Sequence, residues 1–392
     1  MKKKPSIVVL GGGYGGTRTA LELLARRAGI ITLVDRNQFH SMTPAYYKVA
    51  SSFIPEKSLL VKKYFEDISK AISVPFSDIF KQSRLFKFVQ SEVVSIDLKK
   101  KIVKLKNADN LQYDWLIMAL GNDVNYYKIP SLEEFSFGFK TAQDAFNIRN
   151  AVNELFAGSP KHKRLNIIIA GAGPTGVELA GEMAGFMERL SEVYGHPKEN
   201  HSCVVLESSN KILGNFSSWT QKNVLKRLQK LRVKVFINSH ISQVSAKKVE
   251  LKNKQTFPYD VLIWTAGLEP SYVHKASTAI GKYLRLRGEK NVFIIGQNIY
   301  PMTAKTAIRQ GIYVAEAIER FEWGLPVKPF KVKKSSIIIP IGSKYAFVDF
   351  GGLKLQGIVA WWLKILEFLK YLLSILSPIR AFKIWLKILK LY

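Results

Sequence analysis

The residues of this chain whose types and spacing could do chemistry begin near its start, where Gly11, Gly13 and Gly16 follow a short apolar run and Asp35 comes 24 residues after the first glycine. The spacing is GxGxxG, and its chemistry is the binding of a dinucleotide's phosphates. The first glycine permits a tight turn, the second lets backbone approach a pyrophosphate, and the third lets a helix lie close on a strand. Amides at that helix's N-terminus hold phosphate oxygens, and a carboxylate in the place of Asp35 accepts hydrogen bonds from a ribose diol. The pattern recurs: Gly171, Gly173 and Gly176 form a second turn, with Glu207 in the corresponding place. A glutamate there repels a 2′-phosphate, which favours NADH over NADPH, although Lys211 lies close behind it.

Such residues need a strand, a turn and a helix to position them, and the flanking sequence supplies all three twice. Residues 6–10 read as a strand, an alanine- and leucine-rich helical stretch follows to about Arg27, and residues 30–34 form a β-branched strand. In the second copy residues 165–170 are strand-like, a helical pattern runs to about Tyr194, and residues 203–206 form the next strand. Residues 113–121 and 259–267 also match one another, each a closing strand that ends in small residues, Gly121 and Gly267. This duplication predicts an α/β fold of two Rossmann-like dinucleotide-binding domains with parallel sheets. Two such sites in one chain point to hydride transfer between two dinucleotides, the cofactors bringing the reactive atoms and the protein their orientation.

Composition narrows the field. The chain has 392 residues, with 59 Lys+Arg against 30 Asp+Glu for a net charge of +29, yet 47% of it is hydrophobic, so the charge rides on globular domains and not on a disordered basic tail. Its one cysteine, Cys203, leaves no partner for an internal disulfide, a CxxC pair or a multi-cysteine metal site, and no metal is expected. The apolar run at residues 7–10 is too short for a signal-peptide core, so no export is expected. Residues 358–392, the most apolar region, are interrupted by Lys364, Glu367, Lys370, Arg380, Lys383, Lys387 and Lys390 and never reach the ~18 uncharged residues of a spanning helix.

That tail reads as two helices broken at Pro378. In the second, Arg380, Lys383, Lys387 and Lys390 fall on one stripe, with Phe382, Trp385, Leu386 and Leu389 opposite. In the first, Trp361, Trp362, Leu366, Phe368, Leu369, Leu372 and Leu373 oppose Lys364, Glu367 and Lys370. A tryptophan-bearing apolar face with a lysine rim suits a helix lying in the interface of an anionic lipid surface. The alternative is a helix pair packed on the protein's own core or on the partner in a homodimer. No nucleic-acid-binding pattern is present, so nucleic acid is not the expected partner of the charge.

The order GGGYGG (11–16), Asp35, Phe39-His40-Ser41-Met42-Thr43-Pro44, GAGPTGVELAGE (171–182), Trp264-Thr265-Ala266-Gly267, Val292-Phe293-Ile294-Ile295-Gly296 and Thr303-Ala304 resembles the type II NADH dehydrogenases. These are single-subunit, non-proton-pumping NADH:quinone oxidoreductases among the two-dinucleotide-binding-domain flavoproteins of respiratory electron transport. The resemblance implies FAD as cofactor and NADH as substrate, with Gly11, Gly13, Gly16 and Asp35 at the FAD pyrophosphate and ribose and Pro44 near the isoalloxazine. It places Gly171, Gly173, Gly176 and Glu207 at NADH, and Gly121, Gly267, Gly296, Gln297 and Ala304 among the cofactor contacts. Glu178 matches a carboxylate near flavin and nicotinamide; its other reading is a helix N-terminal glutamate favoured by the dipole. Two departures stand out. Gln297 replaces an aspartate, and Lys305 and Arg309 replace two glutamines of the quinone-side motif, either polarising a quinone carbonyl, stabilising a reduced flavin anion or forming a surface-exposed cationic turn.

The domains expected are an FAD domain over 1–130 and 265–328, an NADH domain over 131–264 and a membrane-anchoring region over 329–392. The expected activity is hydride transfer from NADH to FAD and two-electron transfer to a membrane quinone, at the cytoplasmic face of the cell membrane and peripheral (monotopic) to it. The rivals are a sulfide:quinone oxidoreductase, which needs a cysteine pair, an NADH-dependent ferredoxin or rubredoxin reductase, and a non-catalytic membrane-docked binding protein.

Overall fold

Residues 4–53, 68, 70–270, 280–296, 303–332, 337–350 and 352–391 are described by the computed structural model. They group into two compact units, one of Met1–Ser41, Ser73–Asp123 and Glu269–Ser335, the other of Met42–Ile72, Val124–Leu268 and Ser336–Tyr392. In chain order the principal elements begin with β1 (Ser6–Leu10), α1 (Tyr14–Ala25), β2 (Ile30–Asp35), α2 (Tyr46–Ala50), β3 (Phe86–Gln90) and β4 (Trp115–Met118). There follow β5 (Phe137–Gly138), α3 (Ala142–Gly158), β6 (Leu165–Ala170), α4 (Pro174–Tyr194), β7 (His201–Leu206), α5 (Ser218–Lys230), β8 (Lys234–Phe236) and β9 (Val261–Trp264). The last are β10 (Val292–Ile294), α6 (Ala304–Glu322), β11 (Ile337–Pro340), β12 (Ala346–Phe350), β13 (Leu353–Gly357), α7 (Ile358–Leu373) and α8 (Pro378–Leu389).

The first unit is built on a parallel sheet of order β10-β4-β1-β2-β3. Residues Ile7 to Leu10 are all buried, as expected of a parallel strand covered on both faces. At Gly11 the backbone takes φ +94°, and a Cβ on Gly16 would run into the Gly11 carbonyl, so α1 can start directly above the strand only with glycine at both places. Helix α6 lies equally close on α1: a Cβ on Gly311 would sit 2.7 Å from the Gly15 carbonyl oxygen.

The second unit repeats the design with a parallel sheet of order β5-β9-β6-β7-β8. Gly171 has φ +105°, and a Cβ on Gly176 would strike the Gly171 carbonyl. The four strands β4-β1-β2-β3 and β9-β6-β7-β8 therefore correspond one to one, as the internal repeat predicts.

The tail joins the second unit. Strands β11, β12 and β13 form an antiparallel sheet, and α7 covers one face of it, packing Ala360, Trp361 and Ile365 on Ile338, Ala346 and Val348. Trp385 and Leu389 of α8 pack on the same cluster, and the Trp385 indole donates to the Ile365 carbonyl at 2.9 Å. Asp349 of β12 accepts hydrogen bonds from the hydroxyls of Ser217 and Thr220 at the start of α5. Close backbone approach seals the contact, since a Cβ on Gly181 of α4 would lie 2.8 Å from the Gly342 nitrogen. Among the described residues no helix is long and apolar enough to cross a membrane.

Candidate functional site

In the first unit the Gly11–Gly16 turn is held from several sides. Asp35, at the end of β2, accepts from the Gly12 N–H at 2.6 Å and from the Asn37 N–H at 2.8 Å. Burial pushes its carboxyl above the usual carboxylate range, and those two backbone donors pull the other way. A Cβ on Gly13 would meet no protein atom within 4 Å, and the N-terminus of α1 carries no side-chain cap. An uncapped helix start and open space at the second glycine thus lie together, the combination expected of a pyrophosphate site.

The same unit gathers the other ends expected at this cofactor. Gly121 and Gly296 follow β4 and β10 with φ +77° and +76°, each with open space where a side chain would be. Gly15 is flanked by Ile295 after β10 and by the Ala307 carbonyl of α6, so the first turn of α6, with Ala304 and Lys305, comes to the same end of the sheet. Arg309 is exposed on that helix, whereas Gln310 beside it is buried and accepts from the Gly296 N–H at 2.7 Å. Gln310 was not singled out from the sequence; its signal was an amide one residue beyond the displaced glutamines. Gln297 lies outside the described residues. Pro44 belongs to the Met42–Ile72 segment of the second unit and is not among the residues that the first unit itself assembles.

The second turn has the same chemistry. Glu207 accepts from the Ala172 N–H at 2.6 Å and the Ser209 N–H at 2.8 Å. A Cβ on Gly173 would again meet nothing, and α4 starts with Pro174 and no side-chain cap. Gly267 differs from its counterpart Gly121: a Cβ on it would lie 2.8 Å from the Asn125 carbonyl oxygen, which accepts from the Trp264 indole. Close passage of the 125–127 segment accounts for this glycine, whatever it does for a ligand.

Along α4 lies a set of charges only one of which the sequence reading singled out as a site residue. Glu178 is half-buried, and loss of solvent drives its carboxyl up to about 8; Lys364 of α7 opposes the shift, while Glu367 and Glu182 reinforce it. One turn on, Glu182 pairs with Lys48 of α2 at 2.7 Å, both side chains at most 6% exposed. Burial lowers the Lys48 ammonium's pKa, which Glu182 opposes. Lys364, expected on the exposed rim of the tail, instead turns inward, 8% exposed, and pairs with Glu367 at 3.3 Å. The buried face of α7 that docks on β11–β13 carries it there. A lysine and a glutamate far apart in sequence give no periodic signal, so nothing in the sequence marked the Lys48–Glu182 pair.

Cys203 lies buried in β7, where burial raises its thiol to about 12. Among the described residues no cluster of His, Cys, Asp and Glu could hold a metal ion.

Two parallel sheets, each with an open glycine turn at a helix N-terminus and an acid at the end of the next strand, define a two-dinucleotide oxidoreductase. The chain belongs to the pyridine nucleotide-disulphide oxidoreductase family, whose match spans residues 5–311. Among its relatives, the type II NADH:quinone oxidoreductase NdhA of Mycobacterium tuberculosis is 26% identical over 97% of this chain and 86% of its own. The demethylphylloquinone reductase NdbB of Synechocystis sp. is 24% identical over 90% of this chain and 89% of its own. NDH2 from Plasmodium falciparum, solved in complex with NADH, shares the fold at a TM-score of 0.83 and 17% identity, covering 99% of this chain and 98% of that one. The sulfide:quinone oxidoreductase of Aquifex aeolicus shares it at 0.75 and 20% identity, over 94% of this chain and 91% of that one. These relatives bear out the resemblance to type II NADH dehydrogenases.

Proposed function

We propose that this protein is a type II NADH:quinone oxidoreductase, non-proton-pumping and dependent on FAD. The observation that carries the reading is the pair of equivalent turns, each with an open glycine beside uncapped helix amides and a carboxylate bonded back to the turn. These residues fit a dinucleotide in each unit. FAD bound in the first unit would supply the acceptor for a hydride from NADH and the donor of two electrons to a quinone. Gly11, Gly13, Gly16 and Asp35 hold its pyrophosphate and ribose, with Gly121, Gly296 and Ala304 at the same end of the sheet. Gly171, Gly173, Gly176 and Glu207 hold NADH, and the Glu207 charge disfavours a 2′-phosphate. Glu178, its carboxyl raised to about 8, can hold a proton near neutral pH in the second unit. Lys305 and Arg309 bring positive charge to the start of α6, where the family's glutamines stand.

The acceptor is a membrane quinone reached at the lipid surface. Ile379, Phe382 and Leu386 of α8 and Val359, Trp362 and Leu366 of α7 are exposed, flanked by Arg380 and Lys383, which supports peripheral binding to anionic lipid. A sulfide:quinone activity is disfavoured because the one cysteine is buried and has no second thiol.

The test is steady-state oxidation of NADH with a quinone. One quinol formed per NADH consumed, with NADH preferred over NADPH by about tenfold or more, supports the reading. NADH oxidation that no quinone accelerates overturns it.

A further inference from the structure

We propose that His40 is a positioning residue for FAD, acting through the Gly12 peptide; this rests on the assignment of the first turn to FAD. His40 sits in the short strand Phe39–Ser41, fully buried, with its ring edge-on to Tyr14 at 4.9 Å. Its Nδ1 lies 2.9 Å from the Gly12 carbonyl oxygen. A carbonyl only accepts, so Nδ1 carries the hydrogen and donates it. Burial keeps the ring neutral, with its pKa lowered to about 4.

The same carbonyl accepts from the Thr17 hydroxyl at 2.8 Å, and the N–H of Gly12 is held by Asp35. Residue 12 is therefore fixed on both sides by side chains of Thr17, His40 and Asp35. In a trans peptide the C=O of Gly12 and the N–H of Gly13 point in opposite directions, so fixing one aims the other. Gly13 is the residue that borders the open space at the head of α1. His40 thus acts at one remove on the amide that must face a pyrophosphate.

The second turn supplies an internal control. There the equivalent carbonyl, of Ala172, accepts from the Leu213 backbone N–H at 2.9 Å, and Val177, with no hydroxyl, stands where Thr17 stands. Main chain does in the second unit what His40 and Thr17 do in the first. Only the first turn is open to disruption by a side-chain change at this point.

The experiment follows FAD leaving the purified holoenzyme on dilution, read as the rise in flavin fluorescence, with NADH binding to the second turn measured in parallel. His40→Leu is expected to weaken FAD retention by about tenfold, the loss of one hydrogen bond to a buried carbonyl. His40→Asn places an amide donor where Nδ1 was and is expected to restore retention, whereas His40→Gln, whose donor reaches further, is not. Thr17→Val is expected to weaken FAD in the same direction, so the proposal stays testable if His40→Leu does not fold. NADH binding is expected to be unchanged in all four. Retention in His40→Leu and Thr17→Val equal to that of the wild type overturns the proposal, as does failure of His40→Asn to exceed His40→Gln. A wild-type protein that binds no FAD overturns the assignment of the turn instead.

Discussion

Glu178 and the Lys48–Glu182 pair are ionisable groups that the second unit draws out of water. A carboxyl raised to about 8 in the folded chain and at its ordinary value of 4.5 when unfolded binds more protons folded than unfolded between those pH values. Its contribution to stability is therefore fully present below pH 4.5 and is lost as pH rises toward 8. Glu178→Gln is expected to flatten this part of the melting-temperature profile, leaving the variant less affected than the wild type by a rise from pH 5 to about 8. A profile parallel to that of the wild type would show Glu178 to be ionised already at neutral pH. For the buried ion pair the expected asymmetry is larger. Lys48→Met alone strands a carboxylate and should cost about 3–5 kcal/mol in urea unfolding, while Lys48→Met with Glu182→Leu should recover most of that loss.

Among the elements, α1 and α4 are equivalent by sequence and by structure, and their roles separate by substitution. Gly13→Val puts a side chain into space that holds no protein atom, so the chain should fold and purify without flavin colour. Gly173→Val should keep the colour and lose reduction by NADH; exchanged phenotypes would reverse the assignment of the two units. These elements were legible because everything that defines them is local: a strand, three glycines at fixed spacing and an acid at the end of the next strand. Gly11 and Gly171 need positive φ, and Gly16 and Gly176 need the absence of a Cβ, so the pattern in sequence is the pattern of contacts. What escaped was non-local. Lys48 meets Glu182 across more than a hundred residues, Gln310 reaches back to Gly296, and Gly267 is fixed by residue 125; none leaves a period to read. The tail was legible as two helices, but which face turns inward depends on the β11–β13 sheet, and that sheet buries Lys364 where helical spacing alone placed it on the rim.

Over the whole molecule the excess of positive charge and the exposed apolar residues of α7 and α8 both enter the proposal that the protein is held at an anionic surface. Deleting α8 would uncover Ile365 and Trp361, since Trp385 and Leu389 pack there. The cleaner variant is Phe382→Ser with Leu386→Ser, which removes mainly exposed apolar surface and, of the packing, the edge-on contact of Phe382 with Trp385. It should shift the protein from vesicle pellet to supernatant and slow turnover of long-tailed quinones in lipid more than of short soluble ones. A double variant that pellets like the wild type would assign these residues to packing between copies of the chain. The central claim, two dinucleotides exchanging a hydride and a quinone taking the electrons, is tested most directly by anaerobic titration of the purified protein with NADH. The flavin absorbance should bleach in proportion to NADH added, up to one equivalent per flavin, and return on addition of quinone. A flavin that NADH leaves oxidised, or one that NADH reduces and quinone fails to reoxidise, would contradict it.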